Sequence, residues 1–253
     1  MSKAQAKIEN EAEFFGTESI WRILLKISPP VMLSQLVMSM YNIVDSLFVG
    51  KYSGAGLTAL SVIYPLQLII TALAVGTGVG VNTYMSRMYA KGDVKKANAT
   101  AGTGTMLAVI MWAVFAAISV GIMRPYINAM ANAPEAIEYA YQYGMVVCIG
   151  SLGTFLEGVW SKVHQSHGNM RVPMIAQLAG AGTNVLLDWI FIFGMGALKP
   201  MGVLGAAIAT IIGQFISAII VGIKGAKNGK NRENLRIARS KSTNSACRPY
   251  SCS

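Results

Sequence analysis

After nineteen mostly polar residues, the chain alternates long apolar runs with short polar breaks. A hydrocarbon layer ~30 Å thick takes roughly 20 helical residues to cross, and the runs have that length. The pattern predicts six spans: 27–49, one within the charge-free stretch 52–86, then 97–123, 139–160, 172–195 and 200–223. The breaks Lys51–Gly56, Arg87–Lys96, Arg124–Glu138 and Ser161–Arg171 read as loops. The fold class expected is an all-α integral membrane protein, a six-transmembrane-helix bundle spanning residues 27–223. Residues 1–26 form an N-terminal segment ending in an amphipathic lead-in, with Trp21 at the interface and Arg22 and Lys26 as anchors. From Lys224 the apolar pattern stops, so 224–253 reads as an unstructured basic tail.

Composition agrees: 53% of residues are hydrophobic and 13% charged, against roughly 25% charged in an average soluble domain. A net charge of +10 would suggest nucleic acid in a soluble chain; here the basic residues lie between apolar spans and mark topology, so the bilayer is the expected partner and nucleic acid is not. With the N-terminus, alternate breaks and the tail on one side, only Lys51, Arg124 and Lys199 of the 21 Lys and Arg fall on the other. Both termini are therefore expected in the cytoplasm and the chain in the cell membrane. Glu9, Glu11, Glu13 and Glu18 ahead of the first apolar run do not suit a cleavable signal peptide. Cys148, Cys247 and Cys252 have neither disulfide nor metal-ligand spacing.

The candidate chemistry is in the spans. An aspartate within the bilayer costs at least ~2.5 kcal/mol, and such residues usually face a bundle interior and mark an ion or substrate path. Asp45 and Asp188 are two such residues, each preceded by an amide, Asn42 and Asn184. Helical spacing puts Gln35, Met38, Asn42 and Asp45 on one face of span one, with Tyr41 beside them. It likewise aligns Gln67, Thr71, Gly78 and Asn82 in span two, Gln177, Ala181, Asn184 and Asp188 in span five, and Thr210, Gln214 and Ser217 in span six. Polar stripes have no reason to face lipid, so they are expected to line a shared cavity. The two acids either hydrogen-bond neighbouring helices only, share a proton, or give oxygen ligands to a small cation. Pro30 is a candidate hinge in span one. Glu157 suits an interfacial acid or a substrate contact equally, and His164 and His167 lack a third metal ligand nearby. Gly76-Thr77-Gly78-Val79-Gly80 suits close helix packing rather than nucleotide binding, and no nucleophile, base and orienting group converge, so no enzyme is expected.

Pro30-Val31-Met32-Leu33 and Asn42-Ile43-Val44-Asp45-Ser46-Leu47-Phe48-Val49-Gly50 resemble the first helix of the multidrug and toxin extrusion (MATE) transporters, in their DinF- and MepA-like branch. Ser86-Arg87-Met88-Tyr89-Ala90-Lys91-Gly92-Asp93, Gln165–Pro173, Asn184–Asp188 and Gly205–Thr210 resemble later parts of the same family, in order, over about residues 14–223. The resemblance implies a proton- or sodium-coupled antiporter exporting bulky amphipathic, mostly cationic drugs, with no cofactor beyond that ion. It implies coupling-ion binding by Asp45, Asn184 and Asp188, with Thr210 carried over by position near the start of helix six. It also implies twelve helices in two lobes, of which this chain supplies the N-terminal one. The expectation is thus a truncated or frameshifted product that needs a C-terminal lobe or a second copy. The alternatives are a lipid-linked oligosaccharide flippase of related architecture, which calls for basic residues in the cavity, and a non-transporting fragment associated with another protein. Orientation is checked by placing single cysteines in a chain stripped of its own: Lys51→Cys should react with an impermeant maleimide on intact cells and Lys91→Cys should not; the reverse outcome inverts the assignment.

Overall fold

The computed structural model describes residues 20–91, 93–166, 168–194 and 200–246. The expectations for residues 1–19, His167, Lys199, Cys247 and Cys252 lie outside them. Among the described residues seven helices form: α1 (Ile20–Tyr52), α2 (Gly54–Ala90), α3 (Val94–Met130), α4 (Pro134–Gly150), α5 (Leu152–Gln165), α6 (Arg171–Phe193) and α7 (Gly202–Ala246). Five are long and apolar enough to cross a membrane, and α4 with α5 makes a sixth crossing bent by 42°. The all-helical, six-crossing architecture is therefore as expected.

Span four differs from the continuous helix that its sequence suggests. It breaks at Gly150 and Ser151, where the freed carbonyls find other donors: Ser151 Oγ donates to Cys148 O at 2.8 Å and Trp112 Nε1 to Ile149 O at 2.9 Å. In a bilayer, unsatisfied carbonyls cost several kcal/mol each, so these two bonds are what let the chain bend there. The bend seats α5 between α2, α3 and α7.

The connections are shorter than the charge pattern suggested, because charge marks where the bilayer ends rather than where the helix ends. Only Ser53 separates α1 from α2, its side chain capping Gly56 N at 3.4 Å. Asp93 caps α3 through the backbone N–H of Lys96 at 3.1 Å, a bond that also holds its carboxyl below the usual carboxylate range. Arg124 and Pro125 lie inside α3, and α4 opens with Pro134 at a first-turn position, where proline is tolerated. The last helix continues to Ala246, so residues 224–246 are helical rather than unstructured; no proline interrupts that stretch. Helix α1 runs through Pro29 and Pro30 without a break.

A close backbone approach joins α6 and α7. A methyl group at Gly180 would sit 2.7 Å from Gly213 O, and one at Gly213 would sit 2.8 Å from Gly180 O, so each glycine makes room for the other's carbonyl. Helix α1 packs mainly on α6 and only lightly on α2 and α7. Its outer face leaves Leu36, Met40, Ile43 and Leu47 exposed. Gly180→Ala should lower the thermal midpoint in detergent, since overpacking against backbone costs about 1–3 kcal/mol. Gly182→Ala, whose methyl meets nothing within 4 Å, should leave it unchanged or raised.

Candidate functional site: a carboxylate pair beside a polar cavity

The polar stripes converge as the helix spacing predicts. A cavity of about 310 Å³ is lined by Gln35, Met38, Tyr41, Asn42 and Asp45 from α1, Gln67 and Thr71 from α2, Gln177 and Asn184 from α6, and Thr210 and Gln214 from α7. Glu157 also lines it, from α5. Three predicted stripe members do other work or lie elsewhere. Gly78 is a packing position, where an added methyl would lie 2.7 Å from Gly158 O. Asn82 is not among the lining residues, and Asp188 lies behind the wall, fully shielded from solvent. Pro30, the candidate hinge, is not among the lining residues.

Asn184 joins the buried acid to the next helix. Its amide has two settings: one places Nδ2 3.3 Å from Thr210 Oγ1. Turned over, Nδ2 donates to Asp188 Oδ2 at 3.2 Å while the amide oxygen accepts from Thr210 N at 3.2 Å. The second setting gives the carboxylate a donor and the backbone N–H an acceptor, and is the chemically better one. Asp45, 6% exposed, is close enough to Asp188 for the two charges to interact. Each keeps one buried oxygen, Asp45 Oδ1 and Asp188 Oδ1, with no hydrogen-bond partner. One turn further along, Phe48 of α1 meets Trp189 and Phe193 of α6 edge-on, with centroids 5.8 and 6.1 Å apart. These rings clamp α1 to α6 beside the acids.

Several lining residues do not stand out from the apolar pattern. Tyr143 is almost completely buried, and its hydroxyl accepts from Gln67 Nε2 at 3.1 Å. Ser151 and Thr154 also face the cavity. Tyr143, Val147, Ser151, Thr154 and Glu157 follow one another at steps of four, four, three and three, so this stripe too is written in the sequence. The break in span four hides it, since a phase carried across a bend does not report one face. Glu157 is a wall residue: its Oε1 accepts from Ser161 Oγ at 2.7 Å, with Gln177 as a further neighbour. His164 is structural, buried with Nε2 3.1 Å from Val221 O, and ties α5 to α7.

Comparison with known proteins decides the family, because the MatE family model matches residues 30–190, well over half of the chain. The chain belongs to the MATE family. Among its relatives, a FAD transporter of Shewanella oneidensis is 26% identical over 80% of this chain and 45% of that protein. The multidrug export protein MepA of Staphylococcus haemolyticus is 24% identical over 81% of this chain and 45% of its own length. A solved MOP-superfamily transporter from Pyrococcus furiosus superposes with a TM-score of 0.73 at 27% identity, covering 79% of this chain and 43% of that one. This MATE chain thus spans about half the length of the relatives it matches. As a MATE protein it is a multi-pass membrane protein of a transporter family.

Removing the amide that joins Asp188 to α7 should cost stability: Asn184→Ala is expected to lower unfolding free energy by about 1–3 kcal/mol, the cost of leaving a buried polar group unpaired. A thermal midpoint equal to that of the unmodified chain would remove Asn184 from this role.

Proposed function

We propose that the chain is one lobe of a proton- or sodium-coupled antiporter that exports amphipathic cationic drugs. The observation that carries this reading is the pair of unpartnered buried oxygens, Asp45 Oδ1 on α1 and Asp188 Oδ1 on an acid that Asn184 links to α7. An orphaned buried carboxylate oxygen costs more than an orphaned neutral group, and a proton or a small cation between the two acids removes that cost. Asp45 and Asp188, with the amide of Asn184 and the hydroxyl of Thr210, make an all-oxygen donor set suited to a hard monovalent ion as well as to a proton. The ion is cargo, taken up on one side and released on the other.

The cavity supports a cationic substrate. Among the described residues, Asp45 and Glu157 are its only charged lining residues, with no Lys or Arg. That lining weighs against a pyrophosphate-bearing lipid. The likeness to a FAD transporter brings in an anionic dinucleotide as a second reading, which the same acidic lining disfavours. Aromatic and aliphatic lining residues such as Tyr64, Leu68 and Ile70 suit the apolar part of an amphipathic molecule. The relatives' length supports a second lobe, or a second copy, completing the transport path. Pro30 is the proposed hinge, in a helix that packs firmly only against α6, and the distribution of Lys and Arg supports cytoplasmic termini.

Efflux of a cationic dye from proteoliposomes, driven by an imposed proton or sodium gradient in the assembled transporter, tests the proposal. Asp45→Asn and Asp188→Asn should each abolish ion-driven efflux and leave expression intact. Undiminished efflux in either variant refutes the role given to that acid.

A further inference from the structure

A second polar cluster faces the same cavity, apart from the Asp45, Asn184 and Asp188 group. Thr154 and Glu157 reach it from α5, Gln177 from α6 and Gln214 from α7. Two of its atoms, Thr154 Oγ1 and Gln214 Oε1, are buried without a hydrogen-bond partner. Glu157 accepts from Ser161 and has the Gln177 amide as a second partner, and a carboxylate has room for about four such bonds. The nearest cation on the same helix, Lys162, directs its Nζ to Gln165 Oε1 at 3.0 Å, and no ion pair to Glu157 forms among the described residues.

Gln177 reaches Glu157 from α6, so the cluster's open positions are those left on the Glu157 carboxylate and the unpartnered atoms of Thr154 and Gln214. Its free capacity is mainly acceptor: a carboxylate, an amide oxygen and a hydroxyl that either donates or accepts. A matching ligand supplies N–H donors and a positive charge, and a protonated amine or an arylamine-bearing cation does both. We propose that Glu157, Gln214, Gln177 and Thr154 form an ammonium-recognition subsite for N–H-bearing amphipathic cations, separate from the coupling-ion site. The inference rests on the drug-export reading and deepens it. Drug and coupling ion are then held by different acids, and the lobe can carry both.

The chain in lipid nanodiscs is titrated with two cations, ethidium, which has N–H donors, and tetraphenylphosphonium, which has none. Glu157→Gln should weaken both by about tenfold or more, the scale of one lost charge-assisted contact. Gln214→Ala should weaken ethidium about three- to tenfold and leave tetraphenylphosphonium within about twofold, because only ethidium loses a hydrogen bond. If Glu157→Gln binds ethidium as the unmodified chain does, the subsite is overturned while the export reading stands. If the unmodified chain binds neither cation, the export reading falls and the subsite with it. Should the melting profile show that Glu157→Gln has lost its fold, Gln214→Ala decides: equal losses for both cations, or none for ethidium, overturn the proposal.

Discussion

The constraint on which this structure turns is the cost of keeping two carboxylates inside a helical bundle surrounded by lipid. Water would satisfy such groups anywhere else; here the protein has to supply neighbours. Asp188 has an amide from its own helix, one turn back, held in place by the backbone of α7. Asp45 has the cavity on one side and the α1–α6 contact on the other. Neither is fully satisfied, and that incompleteness separates the pair from merely structural polar groups such as His164, whose ring nitrogen meets a backbone carbonyl.

Holding Asn184 in hydrogen-bonding range of the α7 backbone requires the two helices to approach more closely than side chains normally permit. Gly180 and Gly213 provide this, one turn from Asn184 and Thr210 respectively. The break in span four serves the same site from the opposite wall. By bending at Gly150 and Ser151, the chain packs α5 against α2, α3 and α7 while α4 also keeps contact with α2. Tyr143 and Glu157, on either side of the bend, then face one cavity. A straight helix would satisfy its backbone more simply; the bent one needs Trp112 and Ser151 as outside donors.

Much of this was legible in the sequence, because lipid enforces two simple rules. Apolar length fixed the number of crossings, and the spacing of rare polar residues in Gln35–Asp45 and Gln177–Asp188 picked out inward faces correctly. The rules stop where neither governs. Helix ends outside the bilayer follow capping by Ser53 and Asp93, not charge, so the loops around Arg87 and Arg124 were drawn too long. The bend at Ser151 depends on a donor from Trp112, thirty-seven residues away, which no local pattern reveals. Asp188 shares the stripe of Asn184 but lies behind the wall, because a spacing rule gives a face and not a depth.

The unequal settings of the two acids bear on how ion binding could become motion. A ligand shifts a conformational equilibrium only by the difference in its affinity for the two states. Asp188 is fixed by Asn184 to the α6–α7 pair, the most closely packed helices of the bundle, whereas Asp45 rides on α1, which has little contact beyond α6. Two negative charges repel across that α1–α6 contact; a proton or cation between them replaces repulsion with attraction. The rings of Phe48, Trp189 and Phe193 meet across the same contact. Under the proposed function, α1 is therefore the element with the most to gain from the ion. In that proposal the glycine-packed α6–α7 pair is the frame against which α1 would move.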